Sequence, residues 1–152
     1  MSNVKYQISH RRGFTLIETM IVILIIGIMA GVSWATFKLL QPSWGLNSAV
    51  RELVGDLRWA QQIAVTEQTD YGIHFSSTTR EYQLVKYSTS SQILTTKALP
   101  TGIDFREISF SNQEVIFNPY GAAQESGDVS LINSKEETKT IEVRPSGFVK
   151  IK

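Results

Sequence analysis

The chain has 152 residues, with 15 Lys and Arg against 14 Asp and Glu, and no cysteine. That length allows one ordinary domain and little more. A composition of 42% hydrophobic and 19% charged residues excludes a disordered or collagen-like chain, and the lack of cysteine excludes a disulfide scaffold, Cys-ligated zinc, an Fe–S cluster and a cysteine nucleophile. The formal charge of +1 is unevenly spread. Lys5, Arg11 and Arg12 stand in residues 1–13 without an acid, while residues 14–152 hold 12 basic against 14 acidic side chains.

The first element is an apolar helix. From Met20 to Val32 no side chain is polar, and between Phe14 and Phe37 only Glu18 is charged. Those 24 residues make roughly 36 Å of helix, enough to cross a hydrocarbon core of about 30 Å. The basic residues precede the span and predict a cytoplasmic N-terminus with the remainder exported. A secretory signal peptide, cleaved near Ala30 or Ala35, is the competing reading. The charge abutting the apolar run and the carboxylate inside it disfavour that alternative. A carboxylate in lipid costs on the order of 2.5–3.5 kcal/mol at the helix centre and less toward an end, so Glu18 needs a partner or access to the headgroups.

Arg11-Arg12-Gly13-Phe14-Thr15-Leu16-Ile17-Glu18 closely resembles the prepilin cleavage signal of type IV pilins and type II secretion pseudopilins. The resemblance implies that a membrane-embedded prepilin peptidase cuts after Gly13 and N-methylates Phe14. It also implies that Glu18 pairs with the new α-amine of a neighbouring subunit. Two charges that are each costly in lipid become less so together, and the pair would set the register between subunits.

Pro42 interrupts the pattern and is expected to kink or break the helix locally. Beyond it Leu46, Val50, Leu53, Leu57, Ala60 and Ala64 recur at helical spacing, widened by Ala49 and Val54. Arg51, Glu52, Asp56, Arg58 and Gln62 occupy other faces. Glu52 and Asp56 are like charges four apart, so packing of the stripe, and not surface pairing, accounts for this helix. Either a coiled-coil partner or the chain's own C-terminal sheet could cover the stripe, and the sheet is expected. The helix is predicted to end near Gln68-Thr69.

From Tyr71 on the period becomes two. Strands are predicted at 71–75, 81–87, 93–99, 103–110, 114–117, 129–132, 140–144 and 147–151. Loops fall at 76–79, 88–92 and 133–139, and Asn118-Pro119-Tyr120-Gly121 makes a turn. One helix followed by seven or eight strands predicts an α+β domain with antiparallel sheet packed on the helix. The expected divisions are a leader (1–13), a transmembrane or filament-core helix (14–40), an amphipathic helix (41–69) and a β-domain (70–152).

Three later stretches narrow the resemblance to FimT/GspH-type minor pilins and pseudopilins. They are Ala49–Thr66; Leu99-Pro100-Thr101-Gly102-Ile103; and Val115–Gly121 with Gly127 following. The ending Ile141–Val149 is similar to the family's closing strand pair. The resemblance implies a type IV pilin-like fold and a structural subunit, not an enzyme. It implies inner-membrane insertion with a periplasmic domain, and partnership with other pilins or pseudopilins and the inner-membrane assembly platform. One departure is Gly147-Phe148-Val149, where the family commonly has Gly-Arg-Val. DNA-binding members implicate an arginine near that point, so its absence weakens a DNA-receptor role.

No catalytic set stands out. His10 lies in the leader, and His74 alternates with Ile73 and Phe75, as a solvated strand histidine would. No HExxH, P-loop, GxSxG or dinucleotide fingerprint occurs. No cofactor or metal is expected; Asp104, Glu125 and Asp128 could touch a cation, but without the density of an EF-hand loop. Nucleic-acid binding is disfavoured because residues 70–152 hold nine basic against ten acidic side chains. Arg144, Lys150 and Lys152 form the one candidate ligand or DNA patch, and their alternation with Val149 and Ile151 equally describes a half-buried edge strand. Mass spectrometry of the mature N-terminus is expected to find N-methyl-Phe14 as the first residue. A start after Ala35 would instead mark a secretory signal.

Overall fold

A computed structural model of the chain describes residues 13–152, and it divides into two compact units, the second spanning Leu40–Lys152. Lys5, Arg11 and Arg12, the cations expected to set topology, lie with His10 outside the described residues.

A single helix, α1, runs Leu16–Glu67. Its start is chemically defined. The Thr15 hydroxyl accepts a hydrogen bond from the Glu18 amide (3.3 Å), the geometry of an N-cap residue satisfying a first-turn donor. Every described side chain from Leu16 to Ser33 is exposed, and this stretch is long and apolar enough to cross a membrane. An apolar surface left bare on all sides is unfavourable in water at about 25 cal/mol per Å², so lipid or other helices must cover it.

Pro42 lies inside α1 without ending it. Proline removes one ladder bond and crowds the preceding turn, yet the helix continues, where a local break was one expected outcome. From Leu46 onward the buried positions are Leu46, Ala49, Val50, Leu53, Val54, Leu57, Ala60 and Ala64. Their cover is the chain's own β-structure, and all eight belong to one core cluster with residues of both sheets.

Eight strands follow: β1 Asp70–Ser76, β2 Glu81–Tyr87, β3 Ser91–Ala98, β4 Ile103–Ile108, β5 Glu114–Phe117, β6 Gly127–Asn133, β7 Thr138–Val143 and β8 Val149–Ile151. They form two four-stranded antiparallel sheets, ordered β3-β2-β1-β5 and β4-β6-β7-β8. Inward positions alternate as expected: Tyr71, Ile73 and Phe75 on β1, Val129 and Leu131 on β6, Ile141 and Val143 on β7. A seam of phenylalanines joins the sheets, with the Phe75 ring 5.7 Å from that of Phe105 and 6.5 Å from that of Phe110.

Strand bounds differ from the sequence pattern where side-chain chemistry is a poor guide. The polar residues Ser91 and Gln92 belong to β3 because backbone pairing to Tyr87 and Lys86 holds them. β4 stops at Ile108, after which a 3-10 turn at Ser111–Gln113 leads into β5. β8 begins at Val149 because Arg144–Gly147 forms the turn before it.

Polar ties fix the helix against the first sheet. The Tyr82 hydroxyl donates to Asp56 (2.6 Å), and Lys97 on β3 reaches both Asp56 (2.9 Å) and Glu52 (3.1 Å). The two like charges four apart on the helix thus share one cation. At the helix end, Glu67 accepts from Tyr71 and Lys86. Burial foremost, then the bond to Asp56, pushes the Tyr82 pKa well above its ordinary value. The Asp56 bond is the main cause raising that of Lys97. Both shifts have the same sign for stability. As pH rises through about 10, the unfolded chain loses these protons while the folded chain keeps them, so folding becomes less favourable. The melting temperature is expected to hold from pH 7 to 9 and fall above about pH 10, with a shallower fall for Tyr82→Phe. An unchanged slope in that variant would remove Tyr82 as a cause.

Candidate functional site

The candidate site is the head of α1. Gly13 and Phe14 precede the helix, both exposed, with Phe14 83% accessible. Thr15 caps the first turn, and Glu18 lies in that turn. A carboxylate there is favoured by the partial positive charge of the helix N-terminus. The Thr15 hydroxyl takes a further role that the family motif alone did not reveal. Thr-x-x-Glu is also the signature of a capping box, so the sequence carried that signal. Phe14, Leu16, Ile17, Met20 and Ile21, its neighbours along the chain, are exposed apolar residues, so the carboxylate is a single charge within an apolar stretch.

The other sequence motifs are places where backbone must turn or approach closely. In Leu99-Pro100-Thr101-Gly102-Ile103, Gly102 has φ +83°, and the Ile103 amide closes the turn onto the Pro100 carbonyl (3.1 Å). The segment ending in Gly121 and the one ending in Gly147 meet on one side chain of the helix. Gln61 donates its amide to the Gly121 carbonyl (2.6 Å). Gly147 has φ +79°, and a Cβ there would collide with the Gly121 carbonyl and the Gln61 amide. Asn118 stabilises the first of these turns by accepting the amides of Tyr120 (3.0 Å) and Ala122 (3.1 Å) through its side-chain oxygen. Gly127 is bare because the Phe110 ring occupies the space a Cβ would take. Gln61 had no signal in the sequence, since it reads as one more polar residue beside the apolar stripe.

Arg144, Lys150 and Lys152 come together near the β7–β8 edge, but acids accompany them. Arg144 pairs with Glu142 (3.3 Å), and Lys152 pairs with Asp128 (3.0 Å) and lies 3.8 Å from Glu142. The bond to Asp128 is the main cause raising the pKa of Lys152. Lys150 is exposed and stands opposite Glu142 in the strand register. The acids considered for a cation are spread apart in their bonding. Asp104 pairs with Arg80 (3.5 Å), and Glu125 accepts from the amide and hydroxyl of Ser111 (2.6 and 2.9 Å). Among the described residues no group of three or more acids or histidines is placed to hold a metal ion. His74 is half-buried on β1, between Gln83 of β2 and Glu114 of β5.

Gly147→Ala is expected to destabilise the domain by about 1–3 kcal/mol, because the new methyl strains a left-handed turn and strikes backbone. Gly55→Ala is the matched control. It is exposed mid-helix, and an added Cβ touches nothing within 4 Å, so it should stabilise by about 0.5–1 kcal/mol. Urea denaturation of the two variants checks both signs.

Comparison with known proteins agrees with this division of motifs. Residues 8–34 match the model of the prokaryotic N-terminal methylation motif, and residues 49–147 match that of type II transport protein GspH. No curated protein matches the chain. Among solved structures, the minor pseudopilin EpsH from the Type 2 Secretion System of Vibrio cholerae superposes with a TM-score of 0.59 at 12% identity, covering 70% of this chain and 95% of that one. The type IV minor pilin FimU of Pseudomonas aeruginosa superposes with a TM-score of 0.60 at 14% identity, covering 70% of this chain and 87% of that one. At such identities the likeness is one of fold. An apolar N-terminal helix under a prepilin-type motif is a membrane-anchor arrangement, and the family is one of assembly subunits. The chain belongs to the GspH family, with the minor pseudopilin and minor pilin fold of the type IV pilin superfamily.

Proposed function

We propose that the chain is a minor pseudopilin, a structural and non-enzymatic subunit of a type II secretion pseudopilus that supports protein export across the outer membrane. The observation that carries this reading is the joining of two parts in one chain. A bare apolar helix headed by Gly13, Phe14 and Glu18 leads into a domain matched by the GspH model. Lys5, Arg11 and Arg12 hold the leader in the cytoplasm. Prepilin peptidase cuts after Gly13 and methylates Phe14, leaving a cationic secondary amine. Residues 14–40 then anchor the subunit in the inner membrane, with residues 41–152 in the periplasm. The inner-membrane assembly platform lifts it into a filament, where like helices replace lipid around the apolar surface. The carboxylate of Glu18 receives the amine of an adjacent Phe14, so that neither charge is left alone in an apolar bundle.

The second reading is a minor type IV pilin acting in pilus assembly or DNA uptake. The likeness to FimU, as good as that to EpsH, favours keeping it. Its DNA-receptor form has less support, because Glu142 and Asp128 engage Arg144 and Lys152. Deleting the gene in its host separates the two. The secretion reading expects periplasmic accumulation of secreted enzymes with pili intact, whereas loss of pili or of DNA uptake with normal secretion would replace it. In the same host, Glu18→Ala is expected to be inserted and cleaved normally but incorporated into filaments at a small fraction of the wild-type level. Normal incorporation would sink the pairing role.

A further inference from the structure

An open groove runs between α1 and the outer edge strand β8. It holds about 420 Å³ and is lined by Arg51, Gly55 and Arg58 from the helix and by Phe148, Lys150 and Ile151 from the strand side. No carboxylate lines it. Gly55 contributes no side chain, which keeps the helix wall low between the two arginines. Among the described residues, Arg51 and Lys150 have no ion-pair partner, since the carboxylate of Glu142 opposite Lys150 is engaged by Arg144 and Lys152. Phe148 is 55% and Ile151 37% exposed, so the groove also offers apolar surface.

The backbone of β8 adds a second feature. Arg144 donates to the Phe148 carbonyl (3.0 Å) and Lys152 to the Thr140 carbonyl (2.9 Å). These are the hydrogen-bonded pairs of the β7–β8 ladder. Alternation therefore turns the peptide groups of Val149 and Ile151 away from β7. The Val149 carbonyl is held by Arg58 (3.3 Å). The Ile151 amide and carbonyl remain on the open edge, the arrangement that accepts an added strand.

We propose that this groove receives an extended acidic segment of a partner protein. Carboxylates on the segment pair with Arg51, Arg58 and Lys150, its apolar side chains rest on Phe148 and Ile151, and its backbone runs beside β8. Cations without an acid in the lining supply the charge complementarity, and the open strand edge favours a peptide backbone over nucleic acid. The ten acids against nine bases of residues 70–152 also argue against a polyanion as long as DNA.

The test uses the full chain in an uncharged detergent and fluorescence anisotropy. The probes are a labelled hexapeptide of alternating Glu and Val, its Lys-Val counterpart, and a twelve-residue oligothymidine. The Glu-Val peptide is expected to bind, to weaken as salt is raised, and to lose at least tenfold in affinity when Arg51→Glu and Lys150→Glu are combined. Both side chains are exposed, so the double variant should melt as the parent does, and Arg51→Lys should retain binding. Equal or absent binding of the acidic and basic peptides would overturn the proposal. So would undiminished affinity in the double variant, or tighter binding of the oligothymidine than of the Glu-Val peptide.

Discussion

The fold depends on one packed stripe. Leu46, Val50, Leu53, Leu57, Ala60 and Ala64 are buried at helical spacing, and each belongs to the cluster that contains inward residues of both sheets. Neither sheet has another helix to cover its apolar face among the described residues. Each buried leucine contributes on the order of 1.5–3 kcal/mol by leaving water. The small residues Ala60 and Ala64 have a different part, allowing the helix backbone to come close near its end. The Gln61 bond to the Gly121 carbonyl and the bare Gly147 are the same requirement seen from the sheet side. A side chain at Gly147 would strike the Gly121 carbonyl and the Gln61 amide and push the two turns apart.

The same helix is covered by its own chain in one half only. Over Leu16–Ser33 it is exposed, and from Met20 to Val32 it is apolar on every side. Over Leu46–Ala64 it has a polar back and a buried front. The difference defines what each part can do. A two-sided segment folds onto its own sheets, whereas an all-apolar segment needs an external apolar environment. In the pseudopilin reading that environment is first lipid and then other helices, and the exchange leaves the burial of apolar surface nearly unchanged. What distinguishes the two surroundings is Glu18, whose charge is served poorly by lipid and well by an amine. In that reading a single carboxylate in the right register converts a membrane anchor into an assembly-competent surface.

Much of this was legible in the residues, for identifiable reasons. The switch from a period of 3.6 to a period of two places α1 and the strands, because burial on one face imposes the same alternation on sequence and structure. The prepilin motif was legible because its residues are contiguous. Strand ends were less legible: Ser91 and Gln92 pair through backbone and carry no apolar signal. Contacts distant in sequence were illegible. Nothing marks Gln61 as the partner of a carbonyl sixty residues away, or Lys97 as the cation shared by Glu52 and Asp56. Glu142 and Asp128 likewise changed the meaning of Arg144 and Lys152, since a row of cations read from sequence omits the acids the fold sets beside them.

The central claim is that Glu18 meets the amine of a neighbouring subunit's first residue. Electron cryomicroscopy of assembled filaments at side-chain resolution measures this directly. The account predicts the Glu18 carboxylate within about 4 Å of the neighbour's N-methyl-Phe14 nitrogen, the reach of an ion pair. A Glu18 carboxylate turned to water or to another side chain, with no amine in reach, would contradict it.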